Sequence, residues 1–150
     1  MRGIYRARYV FDERSQDPYA GTTLERPDSL LGNPADTVYP WEQIFLAAAA
    51  CAGSDYPTLA AHYGVPLQRV ELVIEGVFDP RGEFDGLAGF AAPADARSCF
   101  LSLRVSATLV SPASRASLKE IHSRVLTDNM VLGALRGIPT TSDLVHTAHL

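Results

Sequence analysis

Cys51 is placed where a thiol could act as a nucleophile. It closes the run Trp41-Glu42-Gln43-Ile44-Phe45-Leu46-Ala47-Ala48-Ala49-Ala50, which is apolar and helix-forming. A thiol in that setting is either inert core filling or a reactive group presented from a helix. Reactivity requires a thiolate, and a thiolate requires positive charge or hydrogen-bond donors nearby. Asp55 lies four residues on, so an ideal helix puts it on the same face. A carboxylate there disfavours the thiolate. Glu42 lies nine residues back, half a turn out of phase at about 3.6 residues per turn. Within one chain it points away from Cys51; in a site built from two chains it need not. Cys99 is the only other cysteine. It opens an alternating segment on the same face as Leu101 and Leu103, so a buried apolar thiol is expected, with a partner thiol for Cys51 as the alternative.

Composition narrows the setting. The chain has 150 residues, 47% apolar and 20% charged, which suits one domain over 1–150 with a real core. A net charge of -4 gives no basic stripe to displace counterions from phosphates, which argues against nucleic acid. Met1 to Phe11 alternates arginine with apolar residues and has no apolar signal core. No run is read as a membrane span, so no membrane partner and a cytoplasmic location are expected. Two cysteines are too few for a disulfide scaffold. His62, His122, His146 and His149 are scattered, and no Cys/His spacing suits a metal. Asp12, Glu13 and Asp17 read as a solvated loop face. Neither metal nor cofactor is expected.

The elements that must position Cys51 follow from pattern. Ile4 to Phe11 reads as a strand, and Asp12 to Gly21 as a wide hairpin loop leading to Thr22–Glu25. Pro40 suits a helix start, because its missing N–H is not needed there. Gly53 and Pro57 interrupt the helix that follows, so a kink is expected there, or a second helix capped by Ser54. Gly64 and Pro66 end it. Val70 to Phe78 and Cys99 to Val110 alternate as strands. Ser117-Leu118-Lys119-Glu120 has capping-box spacing ahead of the Leu118, Ile121, Val125 stripe. A short helix over Asn129–Leu135 and a last strand over 140–149 complete the chain. The pattern is α+β with antiparallel pairing. Tyr39, Trp41 and Phe45 gather at the helix start, either as core or as the wall of an apolar cleft.

Taken in order, these motifs resemble the OsmC/Ohr family of osmotically inducible and organic-hydroperoxide-resistance proteins. The match runs from Pro40-Trp41-Glu42-Gln43-Ile44 through Ala49-Ala50-Cys51 to Gly64-Val65-Pro66-Leu67 and Val70-Glu71-Leu72, without a gap. Asp79-Pro80-Arg81-Gly82 looks like the turn of some relatives, and Ser111-Pro112-Ala113-Ser114 precedes a helix in the family's order. The resemblance covers roughly Thr37 to Leu144. It implies antiparallel sheets packed around a central helix, an intertwined homodimer, and active sites at the dimer interface. It also implies a peroxidatic cysteine, a resolving cysteine in Cys-Pro-Val, a glutamate and an N-terminal arginine. Cys51 matches the first cysteine and Glu42 the glutamate. Arg14 is the first candidate for the arginine and Arg26 the second.

The resolving cysteine is absent. Asn129-Met130-Val131 stands where Cys-Pro-Val belongs, and an amide cannot form a disulfide. Asn129 and Met130 read as packing residues, with Met130 alternatively lining a pocket. Two functions therefore stay open. One is a one-cysteine thiol peroxidase of the oxidative-stress response that takes a small hydroperoxide and uses an external thiol reductant. The other is a non-catalytic homodimer that binds a small apolar ligand at its interface.

Overall fold

The computed structural model describes residues 3–15, 19–25, 38–79, 82, 91–96 and 99–149. Its elements in order are β1 (Gly3–Asp12), β2 (Tyr19–Glu25), α1 (Pro40–His62), β3 (Arg69–Asp79), β4 (Cys99–Val110), α2 (Arg115–Asp128), α3 (Met130–Ala134) and β5 (Thr140–Thr147). The strands form one sheet in the order β2-β1-β3-β4-β5. Pairing is antiparallel from β2 to β4, as the hairpin pattern implies. The last ladder, β4 with β5, is parallel. Parallel neighbours need a crossover rather than a turn, and α2 with α3 supplies it.

Alternation in β3 sorts the two faces. Val70, Leu72, Ile74 and Phe78 are buried, while the intervening positions are partly exposed. On β1 the buried set is Tyr5, Ala7 and Tyr9, and on β4 it is Leu103, Val105, Ala107 and Leu109. The opposite face carries crossed ion pairs such as Arg6–Glu75, Arg8–Glu71 and Arg104–Asp143.

β4 departs from the expected alternation at its start. The register shifts between Val77 and Phe78: Val77 pairs with Ser102, but Phe78 pairs with Phe100. Leu101 is the extra residue, and a bulge of this kind reverses the faces beyond it. Phe100 therefore meets Phe45 edge-on at 4.9 Å, and Cys99 is exposed rather than buried.

α1 lies across the buried face of the sheet and is continuous, with neither a break nor a second start. Its buried positions, Phe45, Ala48, Ala49, Ala52, Gly53, Tyr56 and Ala60, follow the helical period. Gly53 is no breaker because it is the point of closest approach: a Cβ there would overlap the Tyr9 ring. Gly76 on β3 does the same for the Phe45 ring. Pro57 leaves one amide bond unmade, and the helix continues through it with Tyr56 and Ala60 buried on either side. Among the described residues α1 alone has the length and apolarity of a membrane span, but its apolar face is covered by the sheet.

The ends of α1 are built as its sequence suggests. Pro40 occupies the first turn, Tyr63 is the C-cap, and Gly64 takes a φ of 64°, a left-handed conformation that glycine adopts without strain. Of the aromatic cluster, Phe45 is in the core, and half-buried Trp41 packs against it, edge-on to Tyr5 at 4.5 Å and stacked on Phe78 at 4.6 Å. α2 starts one turn earlier than the capping-box reading implies, because Ser114 accepts the Ser117 N–H at 3.1 Å.

If the two glycines set the helix-to-sheet distance, Gly53→Ala and Gly76→Ala each destabilise the fold by about 2 kcal/mol through overpacking. Alanine is the better helix former, so local propensity alone predicts a gain at position 53. Urea denaturation decides between them: a lowered midpoint in both variants is expected, and an unchanged or raised midpoint for Gly53→Ala contradicts the packing account.

Candidate functional site around Cys51

Cys51 sits on the flank of α1, partly buried, beside the junction of α2 and α3. Asn129 is that junction. It is the C-cap of α2 and the N-cap of α3 at once: its N–H donates to Val125 O at 3.2 Å and its carbonyl accepts from Gly133 N at 2.8 Å. Its side chain is only 3% exposed. Oδ1 accepts the Leu132 N–H at 2.9 Å, the usual work of an N-cap asparagine.

Nδ2 faces the other way. It donates to Cys51 Sγ at 3.2 Å and to Asp55 Oδ2 at 2.7 Å. Because α1 is unbroken, Asp55 stays on the Cys51 face, and the amide binds both groups. Asn129 is thus more than a packing residue, and sequence reasoning missed its contact with Cys51. The available signal was an N-cap residue type between two short helical stripes, at the position of the absent thiol. Met130 is 82% exposed, so it is not a packing residue within the chain.

The other proposed site residues lie apart from Cys51 in the single chain. Glu42 is fully buried in the first turn of α1, where Oε2 accepts the Tyr39 N–H at 2.8 Å. That bond is the carboxylate half of a capping box. Nine residues of helix put it about 13 Å from Cys51 along the axis. Arg14 lies on the turn after β1, its side chain 66% exposed and its Nε 3.7 Å from Asp12 Oδ1. The neighbouring Glu13 N–H donates to Gln68 O at 3.0 Å, which places this turn near the C-terminal end of α1, opposite Glu42. Arg26 falls outside the described residues.

Cys99 is paired with Asp79, next to the Phe78 ring on which Trp41 stacks. Cys51 is ten residues further along α1, about 15 Å by helical rise. That is beyond the roughly 7 Å Cα separation a disulfide tolerates. His146 Nε2 donates to Ser111 O at 2.9 Å. Among the described residues no group of three His, Cys, Asp or Glu is arranged to hold a metal.

A second buried polar pair lies beside the site. Tyr56 Oη and His122 Nδ1 share a hydrogen bond of 2.7 Å, tying α2 to α1. Burial raises the Tyr56 pKa far above the phenol range, and nearby Asp55 adds to the rise. Burial pushes the His122 pKa below its ordinary value, opposed by the charge of Asp143. Both groups are therefore held neutral.

Solved structures share this arrangement of sheet and central helix. An OsmC-like protein from Mycoplasma pneumoniae superposes with a TM-score of 0.56 at 17% identity, over 91% of this chain and 96% of that one. An OsmC-like hydroperoxide resistance protein from Jannaschia sp. CCS1 gives 0.61 at 10% identity, over 90% and 87% of the two chains. The fold is OsmC-like. A hypothetical protein from Aquifex aeolicus VF5 shares it, with a TM-score of 0.51 at 10% identity and coverage of 92% and 96%. No protein-family model and no curated protein matches the chain by sequence. At these identities the likeness is one of fold, and the OsmC-like frame here carries Asn129 against Cys51.

The Tyr56–His122 pair makes a stability prediction. The folded state lowers the His122 pKa, so the unfolded state binds more protons as pH falls below about 6.5. The contribution is complete above that value and is lost as pH falls through the lowered folded value. Thermal melts should show stability declining as pH falls below about 6.5, with a flatter profile in His122→Gln. Tyr56→Phe should cost about 1–3 kcal/mol at neutral pH by leaving the buried ring nitrogen unpaired. Parallel pH profiles for wild type and His122→Gln would count against the assignment.

Proposed function

We propose that this chain is a one-cysteine thiol peroxidase of the organic-hydroperoxide response, with Cys51 as the peroxidatic residue. The observation that carries the reading is the side-chain Nδ2 of Asn129, held 3.2 Å from Cys51 Sγ, a donor where a thiolate requires one. The hydroperoxide-resistance protein from Jannaschia with the same fold supports the substrate class.

The thiolate attacks the distal oxygen of an organic hydroperoxide. The O–O bond breaks and an S–O bond forms. The leaving alkoxide takes a proton, giving the alcohol and Cys51 sulfenic acid. Cys99 is out of reach, so an external thiol completes the cycle. It condenses with the sulfenic acid, releasing water and forming a mixed disulfide. A second external thiol attacks that disulfide and releases the Cys51 thiolate; the two external thiols have then given up two electrons and leave as a small-molecule disulfide. A reducing cytoplasm provides such thiols.

The acting form in this reading is a homodimer. α1 leaves Ile44 37% exposed and α3 leaves Met130 82% exposed, apolar surface that a second copy would cover. In that assembly Glu42 orients an arginine toward the other chain's Cys51, and Arg14 is the candidate that stabilises its thiolate.

The purified protein should consume a cumene-type hydroperoxide in the presence of a small thiol reductant. Cys51→Ser should abolish turnover, and Cys99→Ser should leave it unchanged. A sulfenic-acid trap should label Cys51 alone. No consumption together with no labelling would sink the peroxidase and leave the non-catalytic homodimer with a small apolar ligand.

A further inference from the structure

The peroxidase reading needs a thiol that is charged and aimed, yet the nearest ionisable neighbour of Cys51 on its own helix is a carboxylate. The geometry around Asn129 shows how the two coexist. Nδ2 carries two hydrogens; one goes to Cys51 Sγ and the other to Asp55 Oδ2. Oδ1 is engaged by the Leu132 N–H. These three bonds decide the orientation of the amide. Turned over, it would set its carbonyl oxygen against the Asp55 carboxylate and face an N–H with an N–H. The group that meets the sulfur is therefore a donor, and its plane is pinned by α3 on one side and Asp55 on the other.

On that reading of the site, we infer that Asn129 is the positioning residue for Cys51. It fixes the sulfur on the α3 side of α1 and supplies the hydrogen bond that favours thiolate, while occupying Asp55 with its second N–H. The asparagine replaces a resolving thiol with a fixed donor. A position that would close an internal disulfide instead holds the single nucleophile ready for external substrates.

The charges around the sulfur leave this donor little competition. On α1 itself Asp55 is the group joined to Cys51 through Asn129; Tyr56 is bonded to His122, and Glu42 and His62 lie at the two ends of the helix. Met130–Ala134 contains none. From the end of α2, Asp128 is exposed and lies 3.5 Å from Arg124, and Arg136 donates to the Thr127 carbonyl. From the sheet side, Tyr9 lies under Gly53, and Glu25 of β2 is 3.4 Å from Arg8.

The test is the pH profile of alkylation by iodoacetamide, measured in a Cys99→Ser background. Asn129→Asp keeps the cap, since aspartate accepts the Leu132 N–H equally well, but faces Cys51 with a carboxylate. Its neutral-pH rate should fall at least about tenfold and its profile move to higher pH. Asp55→Asn should shift the profile the other way and speed alkylation at neutral pH. Profiles of both variants that overlie the parent's would overturn the inference. If Asn129→Asp fails to fold, Asn129→Ser decides, since serine still caps α3 but lacks the second N–H: a shift to higher pH supports the inference and no shift overturns it. Alkylation needs no hydroperoxide, so these shifts appear even if peroxide consumption is absent. Conversely, an active peroxidase with unshifted profiles rejects the role of Asn129 while keeping that of Cys51.

Discussion

The close approach of α1 to the sheet governs the rest of the molecule. Two glycines make it, one on each partner: Gly53 under the Tyr9 ring and Gly76 under the Phe45 ring. With the helix so close, its alanines fill the core, and its rotation about its own axis is fixed. Cys51 and Asp55 then lie on the flank toward α3. A helix standing further off, or rotated by one residue, would carry the thiol away from Asn129.

The second constraint is the double cap at Asn129. α2 and α3 meet there without a spare residue, and the backbone turns at φ -63° and ψ 129°. The side chain satisfies the Leu132 amide in the first turn of α3 and reaches α1 with its other end. One buried residue thus links three helices and sets the surroundings of the sulfur. Buried amides are costly when half satisfied, and here every polar atom of the side chain has a partner. The chemistry follows from that geometry. A dithiol cycle needs two sulfurs within bonding reach, and within this chain Cys51 meets the Asn129 amide, while Cys99 opens β4 beside Asp79.

Much of the fold was legible because its signals are local. The alternation of Val70, Leu72, Ile74 and Phe78 marked β3 and its buried face, and Pro40 with Gly64 bracketed α1. The misreadings share a cause. Gly53 and Pro57 look like breakers in one dimension, but the sheet surface under α1 turns the glycine into a contact and tolerates the proline. Cys99 was expected inside because alternation was carried through Leu101, where the pairing of β4 slips by one residue. The parallel ladder of β5 depends on a crossover that no local pattern announces. At the candidate site, spacing singled out Cys51 and Glu42, but the fold sets Glu42 apart as the cap of α1, and the contact of Asn129 with Cys51 spans 78 residues and required the fold to appear.

The central claim is that Cys51 is the single acting thiol and Asn129 its fixed partner. A crystal structure of the protein after exposure to one equivalent of an organic hydroperoxide tests it most directly. The account predicts one oxygen on Cys51 Sγ, Asn129 Nδ2 within hydrogen-bond reach of the oxidised group, and no bond to Cys99. An unmodified Cys51 turned away from Asn129, or a Cys51–Cys99 disulfide, would contradict it.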